Sequence, residues 1–182
     1  MGPEDTTPIT DNAPSPLTRA IAEIEAHVRE DGWDQPPRLY ALAATTDLVN
    51  REPGLAGELG VDLDDLPPGS LTPIEQEIGE QSIDDLLSTI SWPETVDGCA
   101  LALERIVLPP GAEEDMPDDS LSANDWAARH PARADVRVVV GVLRDGRRTS
   151  VLRIRGHEDD TDLIRGAELS PELGDALAST FI

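Results

Sequence analysis

Few residues in this chain are equipped for chemistry. There is one cysteine, Cys99, and there are three histidines, His27, His130 and His157. A thiolate activated by a histidine makes a nucleophile for acyl transfer. Cys99, however, shares a strand face with Leu101 and Leu103, where cysteine packs as a small buried hydrophobe. His130 precedes Pro131 at a helix end, where an imidazole caps carbonyls and suits the helix dipole. His27 lies one position off the apolar stripe of a helix. His157-Glu158-Asp159-Asp160-Thr161-Asp162 gathers acids around a histidine, without the helical His pair of a zinc protease or the glycine turn of an EF-hand. A lone cysteine allows no disulfide within this sequence and no cysteine-based zinc site. Gly-x-Ser-x-Gly, Walker and Gly-x-Gly-x-x-Gly patterns are missing. These residues lead us to expect no metal and no cofactor, and they favour a non-catalytic protein over an enzyme.

The chemistry that remains is ionic. Across 182 residues, 37 acids face 14 basic residues, every one of them arginine, for a formal net charge of -23. Such a balance argues against binding duplex nucleic acid or an anionic membrane surface, both of which need cationic area. The charge is also unevenly spread. Glu52 to Glu104 holds 13 acids and no base, whereas Arg133 to Arg155 holds seven arginines against Asp135 and Asp145. A guanidinium can grip a carboxylate with two parallel hydrogen bonds, so these arginines suit fixed acidic contacts. Three destinations follow: carboxylates of the acidic helical half, an acidic protein partner or second copy, and single-stranded nucleic acid. The last wants aromatic side chains interleaved with the arginines, and this stretch has none.

The element that must position the arginines is a β-hairpin, Val136 to Arg155. Val136, Val138, Val140 and Val142 alternate along one arm, and Leu152 and Ile154 continue that face on the other. A two-residue Asp145-Gly146 turn would pair Val138 with Arg153 and set arginines among the valines. A three-residue loop with Gly146 left-handed pairs Val138 with Leu152, Val136 with Ile154 and Arg137 with Arg153, and is the expectation. Arg137, Arg153 and Arg155 then line the second face. With Trp33 they are the candidate interaction residues. The other reading of Trp33 is a hydrophobic plug at a helix–helix corner. A ligand site or catalytic centre near Cys99, His130 and the arginine face is the alternative.

Around the hairpin the chain reads as follows. The first thirteen residues read as a disordered tail. Ser15-Pro16 opens a helix with Leu17, Ile21, Ile24 and Val28 on its buried stripe and Glu23, Glu25, Arg29 and Glu30 on its wet side. After Pro36-Pro37 a second helix is expected, with Leu39, Leu42 and Val49 inward. Leu55 and Leu59 mark a further turn of helix, and Thr72-Pro73-Ile74-Glu75 reads as a capping box opening another. Ser82 restarts helix through Leu86, Leu87 and Ile90. Gly98 to Leu108 reads as a strand. Ser122 opens a short helix that ends at His130-Pro131, and Ser170-Pro171 opens a last one with Leu173, Leu177 and Phe181 on one side. The expected fold is α+β: an antiparallel sheet of at least three strands, with helices before, between and after. Residues 1–14 are a tail and 15–182 one domain, with 15–90 mainly helical, 96–156 the sheet with an acidic loop at 109–121, and 170–181 the C-terminal helix.

The stretches Gly32-Trp33-Asp34-Gln35-Pro36-Pro37-Arg38-Leu39 and Leu71-Thr72-Pro73-Ile74-Glu75-Gln76-Glu77 resemble a family of uncharacterised actinobacterial proteins of similar length. Trp92-Pro93 through Gly98-Cys99-Ala100, Glu104-Arg105, and His130-Pro131 followed by Gly141-Val142-Leu143-Arg144-Asp145-Gly146 share the likeness. The resemblance implies a GC-rich source, where codon usage replaces lysine by arginine; adaptation to high salt is the competing account of the missing lysines. It implies no activity and carries over no functional residue. The shape of the expected fold is analogous to the secretion chaperones. The first thirty residues lack a charged n-region with an apolar core, and no run reaches the ~18–20 apolar residues of a membrane span. The expectation is a cytoplasmic adaptor-like or chaperone-like protein acting on a protein partner or as a homodimer.

Overall fold

The valine alternation folds as its period requires. In the computed structural model, strand β4 (Ala134–Leu143) pairs antiparallel with β5 (Arg148–Ile154), setting Val136 opposite Ile154, Arg137 opposite Arg153 and Val138 opposite Leu152. Gly146 closes the loop at φ +91°, a left-handed geometry that glycine adopts without Cβ strain, and Leu143 N–H donates to the Arg147 carbonyl. The structure describes residues 14–60, 62, 64–166 and 169–181. The expected tail, Met1 to Ala13, lies outside the described residues.

The hairpin sits within a six-stranded antiparallel sheet of order β2-β1-β3-β4-β5-β6. Its other strands are β1 (Arg38–Ala44), β2 (Leu71–Gln76), β3 (Val96–Val107) and the short β6 (Ile164–Gly166). Helix α1 (Pro16–Glu30) covers one face. Ser15 Oγ accepts the Thr18 N–H at 3.1 Å, and Leu17, Ile21, Ile24 and Val28 pack on Tyr40, Leu42, Ala100, Ala102, Val139 and Val151. The opposite face holds Leu39, Cys99, Leu101, Val138, Val140 and Val142 beneath α4 (Ile83–Thr89) and α6 (Pro171–Ser179), through Leu86, Leu87, Leu173 and Leu177. Helices α2 (Thr45–Arg51), α3 (Leu55–Leu59) and α5 (Ser120–Arg129) fill the connections. Asp119, not Ser122, caps α5, its carboxylate accepting the Ser122 N–H at 2.9 Å.

Two of the expected helices are strands. Leu39 to Ala43 is buried on both faces, and a strand covered on both sides reads as an unbroken apolar run that periodicity cannot separate from helix. Pro36-Pro37 feeds it extended chain, and helix begins only at Thr45, so Val49 is helical while Leu39 and Leu42 are not. The supposed capping box is β2, with Thr72 opposite Ala43 and Pro73 opposite Leu42. Proline lacks the N–H a central strand needs, but β2 is outermost, where that loss is tolerated.

One glycine sets how closely α1 lies on the sheet. A Cβ at Gly141, on β4, would stand 2.8 Å from Ile21 Cγ1 and 3.2 Å from Leu17 Cδ1, both buried. Gly141→Val should therefore lower stability by about 1–3 kcal/mol through overpacking, read as a reduced urea midpoint. An unchanged midpoint would mean that α1 is not seated there.

Candidate functional site: the arginine cluster beneath Trp33

Arg137 and Arg153 face each other on the α1 side of the sheet, 1% and 0% exposed. Two like charges placed opposite and out of water demand counter-charges and hydrogen bonds. The chief one is Glu25, 3% exposed on α1. Its Oε1 accepts Arg153 Nε at 2.5 Å and its Oε2 accepts Nη2 at 3.3 Å, a two-point grip. Arg153 Nη1 donates to the carbonyls of His157 at 2.8 Å and Asp159 at 3.0 Å. Glu25 was expected on the wet side of its helix. It stands one turn beyond Ile21, on the edge of the apolar stripe, where Arg153 draws it in.

The rest of the cluster holds one loop. Gly32 to Gln35 carries the chain from α1 to β1, with Gly32 at φ +80° and Asp34 at φ +65°. Asparagine and aspartate tolerate that region better than most residues, yet Asp34 still needs support. Glu104 on β3 supplies it: Oε1 accepts the Asp34 N–H at 2.9 Å and Oε2 the Gln35 N–H at 2.6 Å. Arg155 grips the Asp34 carboxylate through Nη1 at 3.1 Å and Nη2 at 3.2 Å, with Asp135 at 3.7 Å. Arg137 Nη2 donates to the Gly32 carbonyl. The Arg137 guanidinium lies 4.5 Å from the centre of the Trp33 ring, a stacking that partial burial strengthens to about 1–2 kcal/mol, and the exposed Arg155 guanidinium lies 5.6 Å from it. Trp33 Nε1 donates to Glu158 Oε1 at 3.0 Å. That bond, with a backbone N–H from Gly156 and the neighbouring guanidiniums, holds the Glu158 carboxyl below its ordinary range against a smaller effect of burial. Burial pushes Arg137 down, and the carboxylates of Glu104, Glu25 and Glu158 oppose it. Its Nε and Nη1 have no hydrogen-bond partner among the described residues.

The four candidate residues, Trp33, Arg137, Arg153 and Arg155, thus meet in one place. Their counter-charges differ from expectation. Among the described residues the acid-rich stretch contributes only its last member, Glu104, beside Glu25, Asp34, Asp135 and Glu158. Trp33 stands at a helix–strand corner rather than a helix–helix one, over the guanidiniums of Arg137 and Arg155, because the segment after Pro37 is β1. An acid bordering an apolar stripe is the one signal that pointed to Glu25.

Cys99 is on the opposite face of the sheet, 0% exposed under α6, 3.9 Å from the Leu177 carbonyl. Burial pushes its thiol up to about 12, which removes the thiolate a nucleophile requires. His130 closes α5, its Nδ1 accepting the Ala132 N–H at 3.1 Å and its ring edge meeting Trp126 at 5.2 Å. The structure therefore does not unite Cys99, His130 and the arginine face.

The residues of this site lie within the stretch, 17–182, over which the chain matches the PPA1309-like protein family, and the chain belongs to that family. No curated protein and no solved structure matches it.

Glu25→Leu should cost about 3–5 kcal/mol, because it removes the carboxylate that grips Arg153 in the core. Adding Arg153→Met should recover much of that loss, since a buried ion pair can be replaced by apolar residues of similar volume. Chemical denaturation of both variants measures the difference. A double variant less stable than the single would mean that the charge on Arg153 is not what Glu25 answers.

Proposed function

We propose that this PPA1309-like protein is a non-catalytic interaction domain, adaptor-like or chaperone-like, that meets a protein partner or a second copy through the Trp33 loop and Arg155. One observation carries the reading. Asp34, exposed and left-handed, is held from below by its own N–H and that of Gln35, both donating to Glu104, and by a two-point ion pair to Arg155. A loop fixed in one shape gives up little entropy on binding, and tryptophan and arginine dominate the energetics of protein interfaces. In this reading Arg137 and Arg153 are foundations, because they are buried. Trp33, Asp34 and Arg155, with the exposed Pro36 and Pro37, form the contact.

A formal charge of -23 favours a partner that presents arginine or lysine, and disfavours nucleic acid and anionic membranes. The sealed thiol of Cys99 supports a non-catalytic role. No helix among the described residues is long and apolar enough to cross a membrane. The reading includes a GC-rich actinobacterial source, supported by 14 basic residues that are all arginine, and a cytoplasmic setting, which a single unpaired cysteine suits.

A photo-crosslinking amino acid at Pro37, with the same group at exposed Glu58 of α3 as control, tests this in native cells. A protein adduct should form at position 37 and not at 58, and Arg155→Ala should abolish it. An adduct with the chain itself would identify a homodimer. Equal labelling at the two positions, or none, would overturn the proposal.

A further inference from the structure

Strand β3 runs past one of its neighbours. Its register with β4 continues to Val107, but its register with β1 ends at Ala102, opposite Arg38. Continued by two residues, the β1 register would set Pro36 opposite Glu104, and a proline has no N–H to give. Pro36 and Pro37 therefore end the pairing early, and the chain turns off into the Trp33 loop. The far end of β3 has β4 on one side and no strand on the other.

The bonding pattern tells which groups this leaves open. Arg144 N–H donates to the Asp97 carbonyl, so Asp97 and every second residue after it on β3 point their backbone groups at β4. Glu104 and Ile106 belong to the alternate set and point theirs at the open edge, where no described residue bonds to them. Ile106 is 41% exposed, on the α1 face, and Val107 is 46% exposed, on the other. Sheet edges are normally blunted by proline, by charge or by shortness. The outer strands here follow that rule. β2 has Pro73, and its Gln76 side chain takes the Ile74 carbonyl at 3.0 Å, while β6 is three residues long. The edge from Glu104 to Val107 has no proline, and its two charges are turned away. Glu104 holds the Asp34 and Gln35 amides, and Arg105 reaches Ser170 Oγ at 3.2 Å.

We propose that this edge takes an extended segment of a basic protein partner as an added strand, in line with β1 and beside Pro36. An extended backbone offers N–H and C=O groups at the spacing of Glu104 and Ile106, and its side chains fall beside Ile106 and Val107. Charge selects the partner. Past Pro109-Pro110 the chain runs through Glu113, Glu114, Asp115, Asp118 and Asp119 without a base, and the whole chain carries -23. Lysine or arginine flanking the segment is therefore favoured, and a second copy is repelled. The proposal rests on the reading of the Trp33 loop as a protein contact, and it names the form the partner takes there.

Acetyl-Arg-Val-Arg-Val-Arg-Val-Arg-amide is a basic strand-forming probe, and acetyl-Arg-Pro-Arg-Pro-Arg-Pro-Arg-amide carries the same charge without forming a strand. In the protein alone, the amides of Glu104 and Ile106 should exchange with solvent faster than those of Arg105 and Val107, which bond to β4. The valine peptide at saturation should slow Glu104 and Ile106 at least tenfold, and the proline peptide should not. Ile106→Pro removes an N–H that bonds nothing within the protein, so it should melt near the wild type while weakening the valine peptide at least tenfold. Ile106→Lys keeps the backbone and sets a like charge against the peptide, and should weaken it several-fold. In native cells Ile106→Pro should also abolish the adduct at position 37. Equal slowing by the two peptides, or none by the valine peptide, would overturn the inference. An adduct at position 37 that persists in Ile106→Pro would overturn it while leaving the Trp33 contact standing. Slowing by the valine peptide with no adduct at position 37 would support the edge and overturn the loop reading. An adduct with the chain itself that Ile106→Pro abolishes would overturn the basic partner in favour of a second copy.

Discussion

The ion pair between Glu25 and Arg153 is the contact on which the arginine cluster and the loop above it depend. The hairpin register puts Arg137 and Arg153 side by side on a face that α1 covers. Without that carboxylate on α1, Arg153 would lose the group that grips it in the core, and breaking a buried ion pair by removing one partner costs several kcal/mol. Glu25 provides that balance while keeping its place in the packed helix. Once α1 is anchored there, its C-terminal end delivers Gly32 to Gln35 over the arginines, where Arg137 and Arg155 meet Trp33 and Asp34. Sheet register, helix seating and loop shape are therefore linked through one charge pair.

The linkage explains why the chain spends so many polar groups on four residues. Glu104, Arg137, Arg155 and Glu158 each bond to a different point of Gly32 to Gln35. Holding a non-glycine residue in left-handed backbone costs on the order of 1–3 kcal/mol, and strain of that kind persists where the surroundings over-determine it.

Much of the fold was legible in local pattern. Strict alternation with a glycine at the turn determined the hairpin and its register, because a shift by one residue would have buried arginines among the valines. Ser15-Pro16 and the stripe from Leu17 to Val28 determined α1, and Leu173 with Leu177 determined α6. The strands β1 and β2 were hidden for physical reasons. A strand buried on both faces has no period, and a proline on an outer strand imitates a helix start. Of the site, the arginines and Trp33 could be named, because charge clustering and a lone tryptophan beside two prolines are local features. Their carboxylates could not, since Glu25, Glu104 and Glu158 are brought together only by the sheet and the packing of α1.

The account's central claim is that side-chain carboxylates and guanidiniums hold the loop from Gly32 to Gln35 in one shape. Native-state hydrogen exchange at the Asp34 and Gln35 amides tests it most directly, because both N–H groups are bonded to Glu104 and to no backbone carbonyl. Both amides should be protected in the wild type. In Glu104→Ala they should exchange at least tenfold faster, while amides of β4 keep their protection. Exchange at unprotected rates in the wild-type protein would contradict the account.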